Sequence, residues 1–161
     1  MPSDGQLPEY KPLTDAERDN NRKVILASLT RFFTNEGVKN PCRAAAAFCG
    51  NIWIESRYNP LSTNKNSNAF GICQWLGSRL KTLKGFEDWS TLSGQIEYLK
   101  YELQNTELST MKYLKELEGS ESIEDITVAI RKKFERCKPS EAADAKRING
   151  AKEAEQECSN L

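Results

Sequence analysis

Residues 50–60, GNIWIESRYNP, end an apolar run with a glutamate, Glu55. Burying a carboxylate is costly unless it is paired, hydrogen-bonded or protonated. On a helix, Phe48 and Ile52 fall seven and three residues before Glu55 and share its side. Trp53, Ala46 and Cys49 cover a second side, and Ile54, Ala47 and Gly50 a third, so the helix reads as buried nearly all round. Low dielectric and the carboxyl end of the helix dipole then both favour the protonated acid. A carboxylic acid holding its proton near neutral pH is what glycosidic bond cleavage requires, because the leaving sugar oxygen must be protonated as the bond breaks. On periodicity alone, a pairing of Glu55 with Arg57 or a distant lysine, or a capping of neighbouring backbone groups, is the more ordinary role for such a residue.

The chemistry open to this chain is narrow. It has no histidine, which removes His-based triads and most zinc hydrolase designs. Acid and base work must fall to carboxylates, tyrosine or lysine. Lys+Arg and Asp+Glu balance at 23 each, and no basic cluster stands out, so neither nucleic acid nor a membrane surface is an expected partner. The five cysteines lack close paired spacing, so no metal site is readable and no cofactor is implied. Cys42 and Cys49 are about 10 Å apart along one helix, too far to bond each other. Cys137 and Cys158 could meet only if the chain doubles back. Reduced cysteines serving as core filler are at least as consistent with the sequence as a disulfide framework. The start, MPSDGQLPEYKPLTD, has no signal-peptide pattern, and no stretch approaches the roughly 20 apolar residues of a membrane span.

At 161 residues the chain is sized for one domain. Residues 1–13, with Pro2, Gly5, Pro8 and Pro12, read as a flexible leader or linker, and 14–161 as the folded domain. Thr14 and Glu17 make a capping box for a first helix carrying Val24, Ile25, Leu26, Leu29, Phe32 and Phe33 and stopped by Gly37. Asn40 as N-cap and Pro41 in the first turn open the second helix, which ends near Ser56. The polar stretch after it, YNPLSTNKNSNA, is loop or hairpin chemistry, and such excursions often carry function. Helical pieces follow with Leu76, Leu80 and Leu83, with Leu92, Ile96, Leu99 and Leu103, and with Met111, Leu114 and Leu117. Ser122 and Asp125 start a helix carrying Ile126, Ile130 and Phe134. Ser140, after Pro139, starts a last one carrying Ala142, Ala145 and Ile148. The domain is mainly α.

Residues 55–75, ESRYNPLSTNKNSNAFGICQW, resemble the signature of goose-type lysozymes and lytic transglycosylases: Glu-Ser, an aromatic, Asn-Pro, a polar loop, then small-aromatic-Gly-Ile-x-Gln. With GNIWIES before it and GICQWLGSR and WSTLSGQIEYLKYEL after it, the chain more closely resembles the phage tail lysozyme domain, over about residues 22–150. The resemblance implies a mainly α, lysozyme-like α+β fold: a helical bundle whose excursion at residues 57–74 forms a glycan-binding cleft. It implies Glu55 as general acid on the β-1,4 bond between MurNAc and GlcNAc of peptidoglycan. Ser56, Tyr58, Phe70, Gly71, Gln74, Trp75, Tyr98 and Glu102 are the implied substrate-binding positions, with Tyr101 beside them. Gly71 allows a backbone conformation or close approach that a side chain would hinder. Gln74 can hydrogen-bond a sugar hydroxyl or acetamido group, and Ser56 can orient Glu55 or cap the helix end. Tyr58, Phe70 and Trp75 can offer flat faces to sugar C–H surfaces. Core packing is the more ordinary role for Tyr58, Phe70, Tyr98 and Tyr101 and the competing one for Trp75, as solvation is for Glu102. A tail-borne enzyme implies residence in the virion, action on the bacterial cell wall, and other tail proteins or further domains as partners.

Two-carboxylate glycosidases need a second group about 5–9.5 Å from the acid. No Asp or Glu occurs between Glu55 and Glu87, so the adjoining loop supplies none. Glu102 and Glu135 are the candidates, although salt bridging with nearby Lys and Arg is the more ordinary role for Glu135. The alternative is a single-acid route, similar to lytic transglycosylases, in which the sugar's own hydroxyl attacks and an anhydro product forms. A non-catalytic glycan-binding or tail-assembly module, or a helical interaction domain, are the readings from other classes.

Overall fold

The computed structural model describes residues 6–136 and 143–161, and within them the chain is helical with no strand. The helices are α1 (Asp15–Asn35), α2 (Pro41–Ser56), α3 (Gly77–Leu83), α4 (Leu92–Asn105), α5 (Leu108–Lys115), α6 (Ile123–Ile130) and α7 (Asp144–Glu155). The capping box of α1 forms as its sequence dictates: Glu17 N donates to Thr14 Oγ1 at 3.1 Å, and Thr14 N donates to Glu17 Oε1 at 2.9 Å. Gly37 follows the helix with φ +80°, a conformation that suits glycine. Asn40 does sit at the N-cap of α2, but in the left-handed region and with no capping bond from its side chain.

The central element is α2, whose residues Ala44 to Ile52 are buried and which packs against α1, α6 and α7. Its last turn opens toward the surface, since Trp53, Ile54 and Glu55 are only half-buried. Ser122 caps α6 as its sequence suggests, accepting a hydrogen bond from Asp125 N at 3.1 Å, and Ile126, Ile130 and Phe134 fill the core.

The last helix departs from expectation. Ser140 and Ala142 lie outside the described residues, and the face of α7 that meets the core is Arg147, Gly150, Ala151 and Ala154; Ala145 is exposed and Ile148 half-buried. The reason is the closeness of the α2–α7 crossing. A Cβ on Gly50 would meet Arg147 O at 2.2 Å, and one on Gly150 would meet Gly50 Cα at 3.3 Å, so the contact face is chosen for small residues rather than for bulk.

A disulfide joins Cys42, at the start of α2, to Cys158 in the 3-10 turn after α7. Of the two cysteine readings left open by the sequence, the disulfide is the one this pair adopts. Sequence spacing could not find it, because its Cα atoms, 116 positions apart, reach 5.9 Å only when α7 folds back along α2. Cys49 and Cys73 are buried thiols, and Cys137 lies outside the described residues. Residues 6–13 have no regular structure and lie on the domain: Leu7 packs on the core, and Asn59 Nδ2 donates to Lys11 O at 2.8 Å. The excursion after α2 is a loop held by two single antiparallel bridges, Thr63 with Phe70 and Phe70 with Trp75. No helix among the described residues is long and apolar enough to cross a membrane.

Candidate active site

Glu55 ends α2 with its side chain 18% exposed, and its Oε2 accepts a hydrogen bond from Arg147 Nη2 at 2.7 Å. Its apolar niche is thus occupied on one side by a buried guanidinium, and the pairing open to Glu55 on periodicity is made by an arginine of α7. Arg147 is itself 1% exposed and donates from Nη1 to Asn51 Oδ1 at 3.0 Å. Asn51, one turn before Glu55 on α2, is fixed in turn by donating to Ala47 O at 2.9 Å and Thr127 O at 3.1 Å. The glycine crossing of α2 and α7 is what brings this arginine within reach. Oε1 of Glu55 takes no hydrogen bond from the described residues.

The charge of this pair also acts on a second carboxylate, Glu135. Past Ile130 the chain widens into a π-type turn, Arg131–Glu135, closed by Arg136 N donating to Arg131 O at 2.8 Å. Such turns are frequent at functional sites. Here the turn ends on Glu135, whose Oε1 is buried with no hydrogen-bond partner although the residue as a whole keeps some surface. Among the described residues Glu135 makes no ion pair with a Lys or Arg, so the salt-bridge role is corrected there. Burial first, and the charge of Glu55 next, push the Glu135 carboxyl well above the usual carboxylate range, against the opposing pull of Arg147 and Arg79. Cys73 lies in the same environment, and burial followed by the charges of Glu135 and Glu102 raises its thiol as well.

Glu102, the other candidate second carboxylate, is fully buried and spent. It accepts from Trp75 Nε1 at 2.7 Å and from Arg79 Nε and Nη2 at 2.8 and 3.0 Å. Arg79 continues the chain of contacts: its Nη1 donates to Phe134 O at 3.1 Å, and its guanidinium lies 4.6 Å from the centre of the Phe134 ring. Tyr98 donates its hydroxyl to Arg79 O at 2.7 Å. Burial opposes charge on Arg79, but the hydrogen bond and charge of Glu102 outweigh it and leave Arg79 more firmly protonated than usual. Trp75, Tyr98 and Glu102 therefore form a scaffold that holds the π-type turn, through Arg79, in its place beside Glu55.

The loop residues are likewise mostly internal. Phe70 and Trp75 are 0% and 1% exposed, and Tyr58 is 4% exposed with its ring 5.5 Å from that of Trp53, so none of the three presents an open face. Ser56 Oγ donates back to Ile52 O at 3.1 Å, inside its own helix. Gly71 has φ +89°, and a Cβ there would lie 2.8 Å from Gln95 Oε1, so both the conformation and the space exclude a side chain. Gln74 donates its amide hydrogens to Ser62 O at 2.9 Å and Gly71 O at 3.0 Å, which pins the loop and leaves its carbonyl oxygen without a donor among the described residues. Of the nine implied positions, Glu55 and Gln74 alone are not buried.

Three organising residues were missed by the sequence reading: Arg147, Asn51 and Gln95. Gln95, fully buried, accepts from Ile72 N at 2.9 Å and donates to Pro60 O at 2.9 Å and Trp89 O at 3.1 Å, tying both ends of the loop to α4. Its signal was present. Gln95, Tyr98 and Glu102 are spaced three and four apart on the stripe of α4 that carries Leu99, and a polar residue on a buried stripe marks a network. Away from the carboxylates, a groove of about 920 Å³ runs between residues 7–10, the loop at Thr63, Lys65 and Asn68, and α3.

No curated protein and no solved structure matches the chain. The fold is nevertheless mainly α, as the lysozyme resemblance requires, and its ordered motifs fall around one glutamate at a helix end. The family model for phage tail lysozyme matches residues 26–157, which span α2, the loop, the scaffold on α4 and the π-type turn, and by that match the chain belongs to the phage tail lysozyme family.

Proposed function

We propose that this lysozyme-like, cell-wall lytic protein is a glycosidase that cleaves the β-1,4 bond between MurNAc and GlcNAc of peptidoglycan, with Glu55 delivering the proton to the glycosidic oxygen. The observation that carries the reading is the position of Glu55: on the opening last turn of an otherwise buried helix, with Oε2 held by Arg147 and Oε1 free. A carboxyl so fixed loses little freedom on meeting the substrate, which is the condition for effective proton transfer. As the bond breaks, its electron pair goes to the leaving oxygen, which takes the proton. Water then attacks the sugar cation and returns a proton to the site. Gln74, through its free carbonyl oxygen, binds a sugar N–H or O–H at the loop edge. The family points to a place on the phage tail, where the enzyme opens the wall locally.

Digestion of purified sacculi by the wild type and by Glu55→Gln, with the masses of released muropeptides, tests this reading. Hydrolysis gives products that have gained one water per cut, and the variant gives none. Products lighter by one water would reassign the chain as a lytic transglycosylase, and undiminished digestion by the variant would remove Glu55 as the acid.

A further inference from the structure

We propose that the groove between residues 7–10, the loop tip and α3 takes the acidic stem peptide that peptidoglycan carries on alternate sugars. The proposal rests on the reading of peptidoglycan as the substrate and adds the part of it that leaves the glycan strand. At about 920 Å³ the groove has the size of a ligand site. Its walls are fixed before any ligand arrives. Asn59 Nδ2 donates to Lys11 O at 2.8 Å and Arg18 Nη1 to Leu13 O at 2.9 Å, which pins the segment carrying Glu9 and Tyr10 to the domain. The loop tip is closed by Asn64, whose Oδ1 accepts from Asn66 N at 2.9 Å and whose carbonyl accepts from Asn68 N at 2.7 Å. Leu80 of α3 and Lys84 at its C-cap are four apart and share one stripe.

The chemistry of the lining selects the ligand. Lys65 on the loop tip and Lys84 bring two ammonium groups to the groove, and Glu9 brings one carboxylate. None of the three makes an ion pair among the described residues. Tyr10, 55% exposed, and Leu80 supply apolar surface, while Thr63 and Asn68 supply neutral hydrogen-bonding groups. A stem peptide answers each of these. Its D-glutamate and terminal D-alanine carry carboxylates for the lysines, and the diamino acid at its third position carries an amine for Glu9. Alanine methyl groups suit the apolar wall, and the peptide backbone suits Thr63 and Asn68. A chain of GlcNAc has no charge to meet the lysines.

The groove lies within reach of a bound glycan. Phe70 is bridged to Thr63 on one side and to Trp75 on the other. Two antiparallel pairings in succession separate Trp75 from Thr63 by at most about 11 Å. An extended stem of five residues spans about 17 Å. A sugar held at Gln74 can therefore send its stem across the loop, so that the residues bearing the amine and the terminal carboxylate enter the groove.

The test separates the stem from the sugar. Glu55→Gln, labelled with nitrogen-15, is titrated with a synthetic stem pentapeptide, with the same peptide acetylated on its amine, and with chitooligosaccharide. The free stem should shift the amide signals of Lys65, Asn68 and Lys84, and chitooligosaccharide should not. Acetylation should weaken the binding, and Glu9→Gln should erase that difference. Digestion by the wild type is then compared on glycan that keeps its stems and on glycan stripped of them by an amidase. Lys65→Glu combined with Lys84→Glu should reduce the preference for stem-bearing glycan about tenfold, chiefly through KM. Groove signals that move with chitooligosaccharide and not with the stem would make this an accessory sugar site and overturn the proposal. A wild type that digests both glycans equally well, or a charge-reversed variant that keeps the preference, overturns it too. Peptide binding is read without turnover, so digestion by Glu55→Gln would sink the acid assignment and leave the groove result standing.

Discussion

Arg147 Nη2 and Glu55 Oε2 meet at 2.7 Å across 92 positions of sequence, and this contact fixes the carboxylate at the end of α2. It depends on a buried guanidinium, so its removal leaves both Glu55 and Asn51 without their shared partner. Arg147→Met should destabilise the domain by about 3 kcal/mol, the lower end for breaking an interior ion pair because Glu55 keeps some exposure. Urea unfolding measures it, and a double-mutant cycle with Glu55→Gln should show strong coupling.

The crossing that makes this contact can be disturbed without touching either partner. A Cβ at Gly50 would come within 2.2 Å of Arg147 O and 2.6 Å of Ala151 N, both backbone atoms that cannot step aside. Gly50→Ala should cost at least about 1–3 kcal/mol, the range for overpacking. If the variant still folds, the digestion rate should fall more than substrate binding, since the shift acts on the carboxylate and not on the loop.

Glu135 should make stability depend on pH in a direction opposite to most acidic residues. Its folded carboxyl binds the proton more tightly than the unfolded chain does, so above about 4.5 the folded state holds more protons and stability falls as pH rises toward the raised folded value. Below 4.5 the penalty vanishes. Glu135→Gln should therefore match the wild type in acid and exceed it at neutral and alkaline pH, by about 2–4 °C in melting temperature for each kcal/mol gained. Thermal melts from pH 4 to 9, on a scale of about one reading per unit, would reveal the divergence.

Trp75 separates a scaffold role from a sugar-binding one. Its Nε1 donates to Glu102 at 2.7 Å inside the core, and Trp75→Phe removes the donor while keeping an aromatic ring. The expected cost is about 1–3 kcal/mol for a buried carboxylate oxygen left short of a partner. KM for sacculi or chitooligosaccharides should stay near wild type, whereas a large rise in KM in a stable variant would return Trp75 to the binding surface.

The Cys42–Cys158 bridge closes almost the whole domain. Reduction, or the double change Cys42→Ser and Cys158→Ser, should lower stability by about 2–5 kcal/mol. Cys49, pushed up to about 12 by burial, should stay unreactive to thiol reagents until the protein unfolds. Mass spectrometry of alkylated protein before and after reduction checks both statements.

Much of this architecture was legible in the chain. Thr14 with Glu17 and Ser122 with Asp125 mark helix starts by local hydrogen-bond chemistry, and Asn40 with Pro41 marks one through the proline of the first turn; each start is where its residues place it. Gly71 was singled out for backbone freedom and is held at φ +89° against Gln95. The face of α7 was misjudged because apolar periodicity identifies bulk, while a crossing this close selects glycine and alanine and tolerates a buried arginine that is paired. The resemblance implied a cleft role for Trp75, Tyr98 and Glu102, with core packing open for the two aromatics, and their burial follows from partners on other elements that no local spacing discloses.

By itself the sequence determined the helices, the family and the singular position of Glu55, since these rest on short-range pattern and capping that neighbouring residues settle among themselves. Tertiary structure decided what surrounds that carboxylate: Arg147 from α7, Glu135 from the π-type turn, and the Arg79–Glu102 support behind it. The physical reason is that charge acts through space. Whether Glu135 holds its proton depends on burial and on the charges of Glu55, Arg79 and Arg147, which lie on three separate helices, and only folding brings them to act on one carboxyl.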